Sequence, residues 1–513
     1  MSKRLLLAAD IGTSGCKTTA FDFRGNAKAF ASISYNTCYS QGGCAEQDPN
    51  DWWKAVCEGI RKLLDQDGID PREIAAVGVD GTSWACLPVD RKGSPLRKAM
   101  LWLDRRAVRQ AEWMKEQAGE DRLIALSGNP VEPAYITPKI LWVKENEPVV
   151  YKNTFKFLQS NAYIVFKLTG AFSQDYSQGY GFHFFDISRG SWDEDTAEEL
   201  GIPLELTAKL CHCHEIVGTI TAKAAEETGL IPGTPVAAGG LDAACCTLGA
   251  GVADPGKAQE QGGQAGGMSI QTDKPLVHPK LILGYHVIPN QWLLQGGTVG
   301  GGGALRWFGE QLGAYEVQKS REMGVSTYEL MSDEAGVISP GCDGLIFLPY
   351  MSGERSPIWD SDARGVYFGL SYDKTRAHMI RAVMEGTAFS LLHNLETAEE
   401  VSADAGILNS VGGAANSEVW TQIKADVTGR IINVPCSDHA TSLGAAILAG
   451  IGTGVYKSFK DAVQETVHIR RTHYPNEQRH RLYRGYYELY LELYEKLKES
   501  YKKLNMLANT CQV

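Results

Sequence analysis

The fold is decided near the start of the chain by residues 5–18, which read LLLAADIGTSGCKT. The apolar run Leu5–Ala9 is typical of a buried strand, so Asp10 stands at the carboxyl end of that strand. The glycines of the segment Gly12–Gly15 permit a tight turn whose backbone N–H groups can face an anion. The carboxylate of Asp10 can hold a Mg²⁺ ion that accompanies such an anion. A turn of this composition can also simply close a β-hairpin, so both interpretations stay open at this point.

Length and composition restrict the class of protein. A chain of 513 residues is expected to form at least two domains. The formal net charge of −11 argues against nucleic acid as a bulk partner, although it permits a local nucleotide site. No apolar run is long enough to cross a membrane, and no C-x-x-C pair occurs among the 12 cysteines. We therefore expect a cytoplasmic protein with reduced thiols and no membrane partner.

The order of predicted elements indicates a duplicated α/β fold. Strands at 5–9, 17–23 and 27–35 precede a helix at 49–64 and a buried strand at 74–79. The second half partly repeats this order around a glycine-rich turn, with strands at 257–261, 268–272, 344–349, 407–411 and 431–434 and helices at 377–399 and 418–428. We predict an N-terminal domain over 1–250 and a C-terminal domain over 251–513, with a cleft between them.

The chain is predicted to end in a long helix over residues 477–504. Its apolar residues recur at helical spacing, which predicts a face that packs against the second domain. The residues of that predicted face are Leu482, Tyr486, Leu489, Leu493, Leu497 and Tyr501.

A second acidic residue follows a predicted strand at Ala237-Ala238-Gly239-Gly240-Leu241-Asp242. The two glycines let backbone or ligand approach closely, and Asp242 then presents a carboxylate at the strand end. Such a group can act as a general base that takes the proton from a substrate hydroxyl. The alternative is an Asp that caps the following helix.

Two further glycine-rich segments precede predicted helices. Residues 295–304 read QGGTVGGGGA, and residues 411–416 read VGGAAN. Glycines at the start of a helix expose backbone N–H groups to phosphate or to a flat base. A flexible loop is the alternative for the first segment, although Trp307 and Phe308 follow it directly and indicate packing.

Taken together, these motifs resemble the FGGY family of carbohydrate kinases, and within it most closely the xylulokinases. The resemblance runs from about residue 4 to about residue 450 and rests on the Asp10 turn and on four further segments. These segments are Leu101–Arg105, Pro138–Trp142, Pro349–Pro357, and Gly365–Leu370 together with His378-Met379 and Ala382–Glu385.

The resemblance implies an actin-like, ribonuclease-H-like fold that binds MgATP and a small sugar, with a homodimer as a possible assembly. It implies that Asp10 and Asp242 lie at the Mg²⁺ ion and that Asp242 is the catalytic base. The residues implied for ATP are Gly12, Thr13, Ser14 and Lys17 in the first turn, Gly263 and Gln264 in the second, and Gly302, Gly412, Gly413 and Asn416 around the adenosine.

The predicted sugar site departs from the xylulokinase pattern. Ser83-Trp84 stands where these enzymes usually have Met-His, Ala243 stands where they often have Asn, and Gln264 replaces a Thr. Trp84 is predicted to stack on the sugar or, alternatively, to anchor the core. The full set of predicted substrate residues is Ser83, Trp84, Asp104, Arg105, Tyr135 and Asp242.

Two of these predictions carry alternatives. Arg105 could contact the sugar or could instead pair with Asp104 in a structural bridge. Because residues 80–86 contain no Lys or Arg, a neutral ketose or polyol is favoured over gluconate. We predict a kinase acting on a terminal hydroxyl of a ketopentose, with D-xylulose the leading candidate. The alternatives are another ketose, polyol or gluconate, or, in a different class, an actin-like ATPase switch or a non-catalytic sugar-binding regulator.

Overall fold

The computed structural model describes residues 3–510, which form two compact units. Unit 1 contains residues 3–255, 271–293 and 439–468, and unit 2 contains residues 256–270, 294–438 and 469–510. The helices are α1 Pro49–Asp65, α2 Val108–Ala118, α3 Glu120–Ser127, α4 Ile136–Asn146, α5 Pro148–Asn153, α6 Ser160–Thr169, α7 Glu194–Glu199, α8 Ala222–Thr228, α9 Asp242–Gly249, α10 Gly302–Gln311, α11 Ala314–Met323, α12 Thr327–Gly336, α13 Arg376–Glu399, α14 Glu418–Thr428, α15 Ala440–Gly452, α16 Phe459–Thr466 and α17 Glu477–Thr510.

The strands are mostly short, and the longest of them belong to the two large sheets. They are β1 Leu5–Ile11, β2 Gly15–Asp22, β3 Ala27–Ser34, β4 Cys38–Ser40, β5 Cys44–Gln47, β6 Ile74–Gly81, β7 Leu87–Val89, β8 Ala99–Met100, β9 Lys156–Leu158, β10 Ser173–Asp175, β11 Phe185–Asp186, β12 Ser191–Trp192, β13 Lys209–Cys211, β14 Ile216–Thr219, β15 Pro235–Ala237, β16 Gly240–Leu241, β17 Lys257–Gly262, β18 Gly266–Thr272, β19 Ile282–Tyr285, β20 Trp292–Thr298, β21 Ile346–Leu348, β22 Val366–Phe368, β23 Ile407–Val411, β24 Ile431–Pro435 and β25 Ile469–His473.

The large sheet of unit 1 has the strand order β14-β15-β6-β1-β2-β3, with β16 also paired to β6. β1 runs antiparallel to β2 and parallel to β6, so the predicted hairpin followed by a parallel crossover is confirmed. Every residue of β1 is buried, as expected for a strand covered on both faces. The crossover helix α1 begins as predicted, since the Asp48 side chain caps it and Pro49 occupies its first turn.

Unit 1 also contains the helix α15, which comes from late in the chain. Small residues allow this helix to lie against the unit 1 backbone. A Cβ atom on Gly78 of β6 would lie 2.0 Å from the Ala445 carbonyl oxygen, and one on Gly249 would lie 1.9 Å from that of Ala440. Residues 271–293 and 439–468 both belong to unit 1, whereas the sequence predicted a single division at residue 251.

Unit 2 repeats the arrangement of the first sheet. Its strands follow the order β20-β18-β17-β23-β24-β25, with β17 antiparallel to β18 and parallel to β23. The predicted strands and helices of this half are present within a few residues of their expected bounds. The α/β fold class with two similar halves is therefore confirmed, whereas the functional assignment of each half stays a prediction.

The long C-terminal helix is present as α17, but its buried face differs from the predicted one. Leu493 and Tyr501 are buried as expected, whereas Leu482 is 46% exposed. Tyr483, Tyr487 and Tyr490 form most of the face that packs in the core of unit 2. The predicted face was one residue out of phase in the first turns, because residues at the same helical spacing, Tyr483, Tyr487 and Tyr490, are the ones buried there. Within residues 3–510, no helix is both long and apolar enough to cross a lipid bilayer.

Candidate active site

Three carboxylates gather at one edge of the unit 1 sheet. Asp10 of β1 pairs in register with Asp80 of β6, and Asp80 pairs in turn with Gly240 of β16. These strands are parallel, so their carboxyl ends meet at the same edge. Asp242 follows β16 directly and is the first residue of α9. The two acidic residues predicted from distant parts of the sequence are therefore brought together at this edge.

Glycine is required where the backbone approaches this edge. Gly239 has a φ of +79°, and a Cβ atom at this residue would lie 2.0 Å from the carbonyl oxygen of Val79. Only glycine meets both conditions, because a side chain would be strained at that φ and would collide with β6. The Gly239-Gly240 pair thus lets the chain reach β6 and present Asp242.

Electrostatic repulsion among the three carboxylates contributes to the raised pKa values of Asp242 and Asp80. Burial first, and then the negative charge of Asp10, raise the pKa of Asp242 to about 7. Burial and the charges of Asp10 and Asp242 raise the pKa of Asp80 well above its usual value. Lys17 partly offsets this charge, since its Nζ lies 3.5 Å from Asp10 Oδ2, and the Asp10 carboxylate raises the pKa of Lys17. An Asp with a pKa near 7 is suited to accept a proton at neutral pH.

The turn after β1 closes the β1–β2 hairpin, and its hydroxyl groups remain available. The Gly12 N–H donates to the Gly15 carbonyl at 3.0 Å, and Tyr35 Oη donates to the Gly12 carbonyl at 2.5 Å. The Thr13 hydroxyl accepts from Trp102 Nε1 at 3.1 Å, so its own proton is free to donate elsewhere. The hairpin interpretation is correct, and it is compatible with a turn that also contacts a phosphate.

The carboxylate edge suits a Mg²⁺ ion that arrives with a nucleotide. Neither oxygen of Asp80 meets a hydrogen-bond donor in the part of the chain that the structure describes. These buried carboxyl oxygens beside Asp10 and Asp242 would be stabilised in their charged form by a nearby cation, and they are hard oxygen ligands. Among residues 3–510, no group of three or more His, Cys, Asp or Glu side chains forms a complete metal cage. Mg²⁺ is commonly held by one or two carboxylates together with substrate phosphates, which fits Asp10 and Asp242.

The predicted sugar residues Ser83, Trp84 and Tyr135 lie in or beside the loop that follows β6. The Trp84 ring is only 9% exposed, stacks on Tyr135 at a centroid distance of 4.1 Å, and meets Tyr180 edge-on. Little of the indole is left to stack on a sugar, so this packing favours the core-anchor interpretation. Ser83, by contrast, is half-buried.

Asp104 and Arg105 do not form a pair. Asp104 is fully buried and accepts from Arg106 Nε at 2.9 Å and from Arg106 Nη2 at 2.7 Å. Arg105 pairs with Glu132 at 2.7 Å near the surface. The predicted Asp104–Arg105 bridge is therefore wrong, because the neighbouring Arg106 turns inward and lies over the Trp142 ring. Asp104 already has its hydrogen bonds within the protein, which leaves it little capacity to bind a sugar.

Unit 2 contains an open cleft of about 930 Å³ that is lined by five of the ten predicted nucleotide residues. Its size is that of a typical site for a cofactor or small molecule. The predicted residues that line it are Gly263, Gln264, Gly302, Gly413 and Asn416. Gly412 is adjacent to this lining and has a φ of +88°. A Cβ atom on Gly303 would lie 2.5 Å from Gln264 Nε2, so the glycine run makes room for the Gln264 side chain.

The glycine-rich loop at residues 295–304 is held by two side chains of the segment Pro349–Pro357. From the sequence, that segment was identified only as a family motif. Glu354 Oε1 accepts from the backbone N–H of Val299 at 2.7 Å, and Ser356 Oγ accepts from that of Gly297 at 2.6 Å. Burial raises the pKa of Glu354 to about 7. Asp80 is a site carboxylate that the predicted catalytic, metal and substrate residues do not include. Its place after a buried strand, like that of Asp10, was the signal that could have identified it as a site carboxylate.

Comparisons with known proteins find similarity along nearly the whole chain. Residues 5–249 match the model of the FGGY family of carbohydrate kinases, N-terminal domain, and residues 266–453 match that of the C-terminal domain. A xylulose kinase from Bacillus subtilis is 30% identical over 95% of this chain and 96% of its own length. A gluconokinase from Bacillus licheniformis is 28% identical over 93% of each chain. The crystal structure of a xylulose kinase from Lactobacillus acidophilus superposes with a TM-score of 0.88 at 25% identity, covering 98% of this chain and 99% of its own.

Proposed function

Because the chain belongs to the FGGY family of carbohydrate kinases and is a phosphotransferase with an alcohol group as acceptor, we propose that it transfers the terminal phosphoryl group of ATP to a terminal hydroxyl of a neutral ketopentose. D-xylulose is the leading candidate. The observation that carries the proposal is the raised pKa of Asp242 at an edge that it shares with Asp10 and Asp80.

Each residue has a role that its surroundings support. Asp242 accepts the proton of the attacking hydroxyl, because at neutral pH a group with a pKa of about 7 is partly ionised and still basic. Asp10 and Asp242 hold the Mg²⁺ ion, which when bound neutralises charge on the phosphates. Thr13, Ser14 and Lys17 add donors and positive charge beside Asp10, so they contact phosphate oxygens.

The nucleotide is assigned to the unit 2 cleft. Gly263 and Gln264 lie in the hairpin turn between β17 and β18, where an amide side chain can donate to a phosphate oxygen. Gly302, Gly412, Gly413 and Asn416 are assigned to the adenosine. Glycines in these segments let a flat base and a sugar approach the backbone closely.

The charge of the unit 1 site favours a neutral sugar over an aldonate. Three carboxylates stand together at the sheet edge, and only Lys17 offsets them within hydrogen-bonding reach of Asp10 among the described residues. A substrate carboxylate placed here would meet like charge at low dielectric. Relatives of both kinds are similar to the chain, since one is named xylulose kinase and another gluconokinase.

The test is an ADP-release assay across D-xylulose, D-ribulose, xylitol and gluconate, with and without Mg²⁺. We expect a neutral ketopentose to stimulate ADP release most strongly. Asp242→Asn should lower kcat by about 10²- to 10⁴-fold, because it removes a general base. Asp195→Asn is the matched control, since Asp195 is an exposed Asp in the first turn of α7.

Three outcomes would each refute part of the proposal. ADP release that no sugar stimulates would refute the sugar kinase assignment and favour an ATPase switch. Near-normal turnover by Asp242→Asn with the best sugar would remove Asp242 as the base. A preference for gluconate would refute the neutral ketopentose.

A further inference from the structure

Asp175 is a buried carboxylate outside the predicted site. It ends β10 and is only 1% exposed. It forms no ion pair with any residue in the range 3–510, so its charge is stabilised by hydrogen bonds alone. Its oxygens accept from Ser177 Oγ at 2.5 Å, from Gln178 N at 3.0 Å and from Asn161 Nδ2 at 2.8 Å. Such a group is costly to bury, which raises the question of what it holds in place.

A chain of two hydrogen bonds leads from Asp175 to the residue before Asp242. The Ser177 hydroxyl donates its single proton to Asp175, and its oxygen accepts from the backbone N–H of Leu241 at 2.8 Å. Donation to Asp175 fixes the orientation of the hydroxyl, so that a lone pair faces Leu241. The approach is close, because a Cβ atom on Gly240 would lie 3.1 Å from Ser177 Oγ.

This hydrogen bond matters because α9 has no side-chain cap. Leu241 occupies the cap position and Asp242 is the first helical residue. The Asp242 side chain accepts from its neighbour Ala243 N at 2.6 Å, which fixes the carboxylate relative to the helix but not the helix relative to the sheet. The Leu241–Ser177 bond is therefore a side-chain contact that holds the start of this helix, in addition to the backbone pairing of β16 with β6.

The same cluster also reaches the end of β6. Gln178 Nε2 donates to the carbonyl of Thr82 at 3.1 Å and, more weakly, to that of Gly81 at 3.3 Å. Asp80 lies just before these residues, and Ser83 just after them. One buried cluster thus contacts both backbone segments that carry the proposed catalytic edge, that of Asp80 and that of Asp242.

We propose that Asp175 is a positioning residue that, through Ser177, holds Asp242 in the orientation needed to accept the substrate proton. This inference rests on the proposed function, because it assigns Asp242 the role of base. A base must lie within hydrogen-bond reach of the proton that it removes, and a displacement of about 1 Å can cost about 100-fold in rate. A purely structural buried carboxylate would instead change stability and leave kcat unchanged in the folded enzyme.

Two substitutions interrupt the chain at different points. Ser177→Ala removes the acceptor of the Leu241 N–H. Asp175→Asn replaces one hydrogen-bond-accepting carboxylate oxygen with an amide NH₂ group. In one orientation of the amide this group faces the donor Asn161, and in the other it faces the donor Ser177. We expect each variant to lower kcat about 10- to 100-fold, with KM for sugar and for ATP within about threefold of wild type. The double variant should lose little more than the single ones, because both break the same path.

The matched control is Thr228→Val, which removes another fully buried hydroxyl of unit 1. Thr228 Oγ1 donates to the Ala224 carbonyl at 2.6 Å and accepts from Leu230 N at 3.2 Å at the end of α8. Thr228→Val should change the midpoint of urea unfolding but not kcat. Folded Ser177→Ala or Asp175→Asn enzyme with wild-type kcat overturns the inference, and so does an equal loss of kcat in Thr228→Val.

A measurement on the wild-type enzyme decides the question if the variants do not fold. We expect the Leu241 amide to exchange with solvent deuterium as slowly as the amides of β6, because its bond to Ser177 is buried. Exchange as rapid as that of exposed loop amides overturns the inference. Wild-type enzyme without sugar-stimulated ADP release would instead refute the proposed function, which separates the two failures.

Discussion

Burial of Lys139 predicts that the stability of the protein rises with pH above neutrality. Lys139 lies on α4, is fully buried, and donates from Nζ to the carbonyls of Trp84 at 3.0 Å and Leu101 at 2.6 Å. Burial lowers its pKa from 10.5 to about 7. The interval between these values corresponds to roughly 5 kcal/mol of free energy, which is an upper limit for the cost of keeping the amine protonated in the folded state.

The sign follows from the protons bound in each state. Between pH 7 and 10.5 the unfolded chain binds a proton at Lys139 that the folded protein has lost, so the free energy of unfolding increases with pH. The gain is small just above pH 7 and complete by about pH 10.5, and it is lost again as the pH falls toward 7. Between pH 7 and 9 this single group should add about 2 kcal/mol to the free energy of unfolding.

Lys139→Met removes the titration while keeping a side chain of similar length. The test is urea unfolding at several values between pH 7 and 9 for wild type, Lys139→Met and Lys144→Met. Lys144 lies on the same helix, is exposed, and also donates to a backbone carbonyl, that of Gly201 at 2.6 Å. We expect the difference between wild type and Lys139→Met to change by about 2 kcal/mol over this range, whereas Lys144→Met follows wild type. Parallel curves for all three proteins would refute the reasoning.

Three further predictions concern activity. Because Asp242 must be ionised to accept a proton and its pKa is about 7, kcat/KM for the sugar should fall tenfold per unit as the pH decreases below about 7; a flat profile from pH 8 to 5.5 would contradict this. Gln264→Ala should raise KM for MgATP about 3- to 10-fold by removing one hydrogen bond to phosphate, and an unchanged value would show that the side chain does not contact the nucleotide. Trp84→Ala should destabilise the protein by about 3–5 kcal/mol in urea unfolding and raise KM for the sugar more than for ATP, whereas equal rises would separate Trp84 from the sugar site.

The main elements of the fold were predictable because their signals are local. The run Leu5–Ala9 is apolar throughout, and the turn after it contains two glycines. The strand that ends at Gly81 is also mostly apolar, and two glycines precede Asp242. In parallel strands this pattern is sufficient to place the side chains that follow, because carboxyl ends collect at one edge of the sheet. The resemblance to a known family predicted that Asp10 and Asp242 meet, and the sheet edge is the physical reason that they do.

The packing of aromatic residues was less predictable. Trp84 was predicted either to stack on the sugar or to anchor the core, and its stacking on Tyr135 in the protein interior favours the second alternative. The same difficulty affected the last helix, where Tyr483 is buried and Leu482 is exposed. An aromatic ring can serve a core or a ligand equally well, and the choice depends on neighbours that are distant along the chain.

Hydrogen bonds of buried polar groups that join residues distant along the chain could not be predicted from local sequence patterns. Lys139 is 55 residues from Trp84, and Ser177 is 64 residues from Leu241, so no sequence window contains either pair. Lys139 holds the backbone of the loop that contains Ser83, and Ser177 holds the start of the helix that carries Asp242. Gln178, next to Ser177, also contacts this loop through the Thr82 carbonyl. Since Lys139 bonds to the proposed substrate loop and Ser177 bonds to the start of the helix that carries the proposed base, we expect a substitution of Lys139 to change sugar affinity with little effect on kcat, and a substitution of Ser177 to do the reverse.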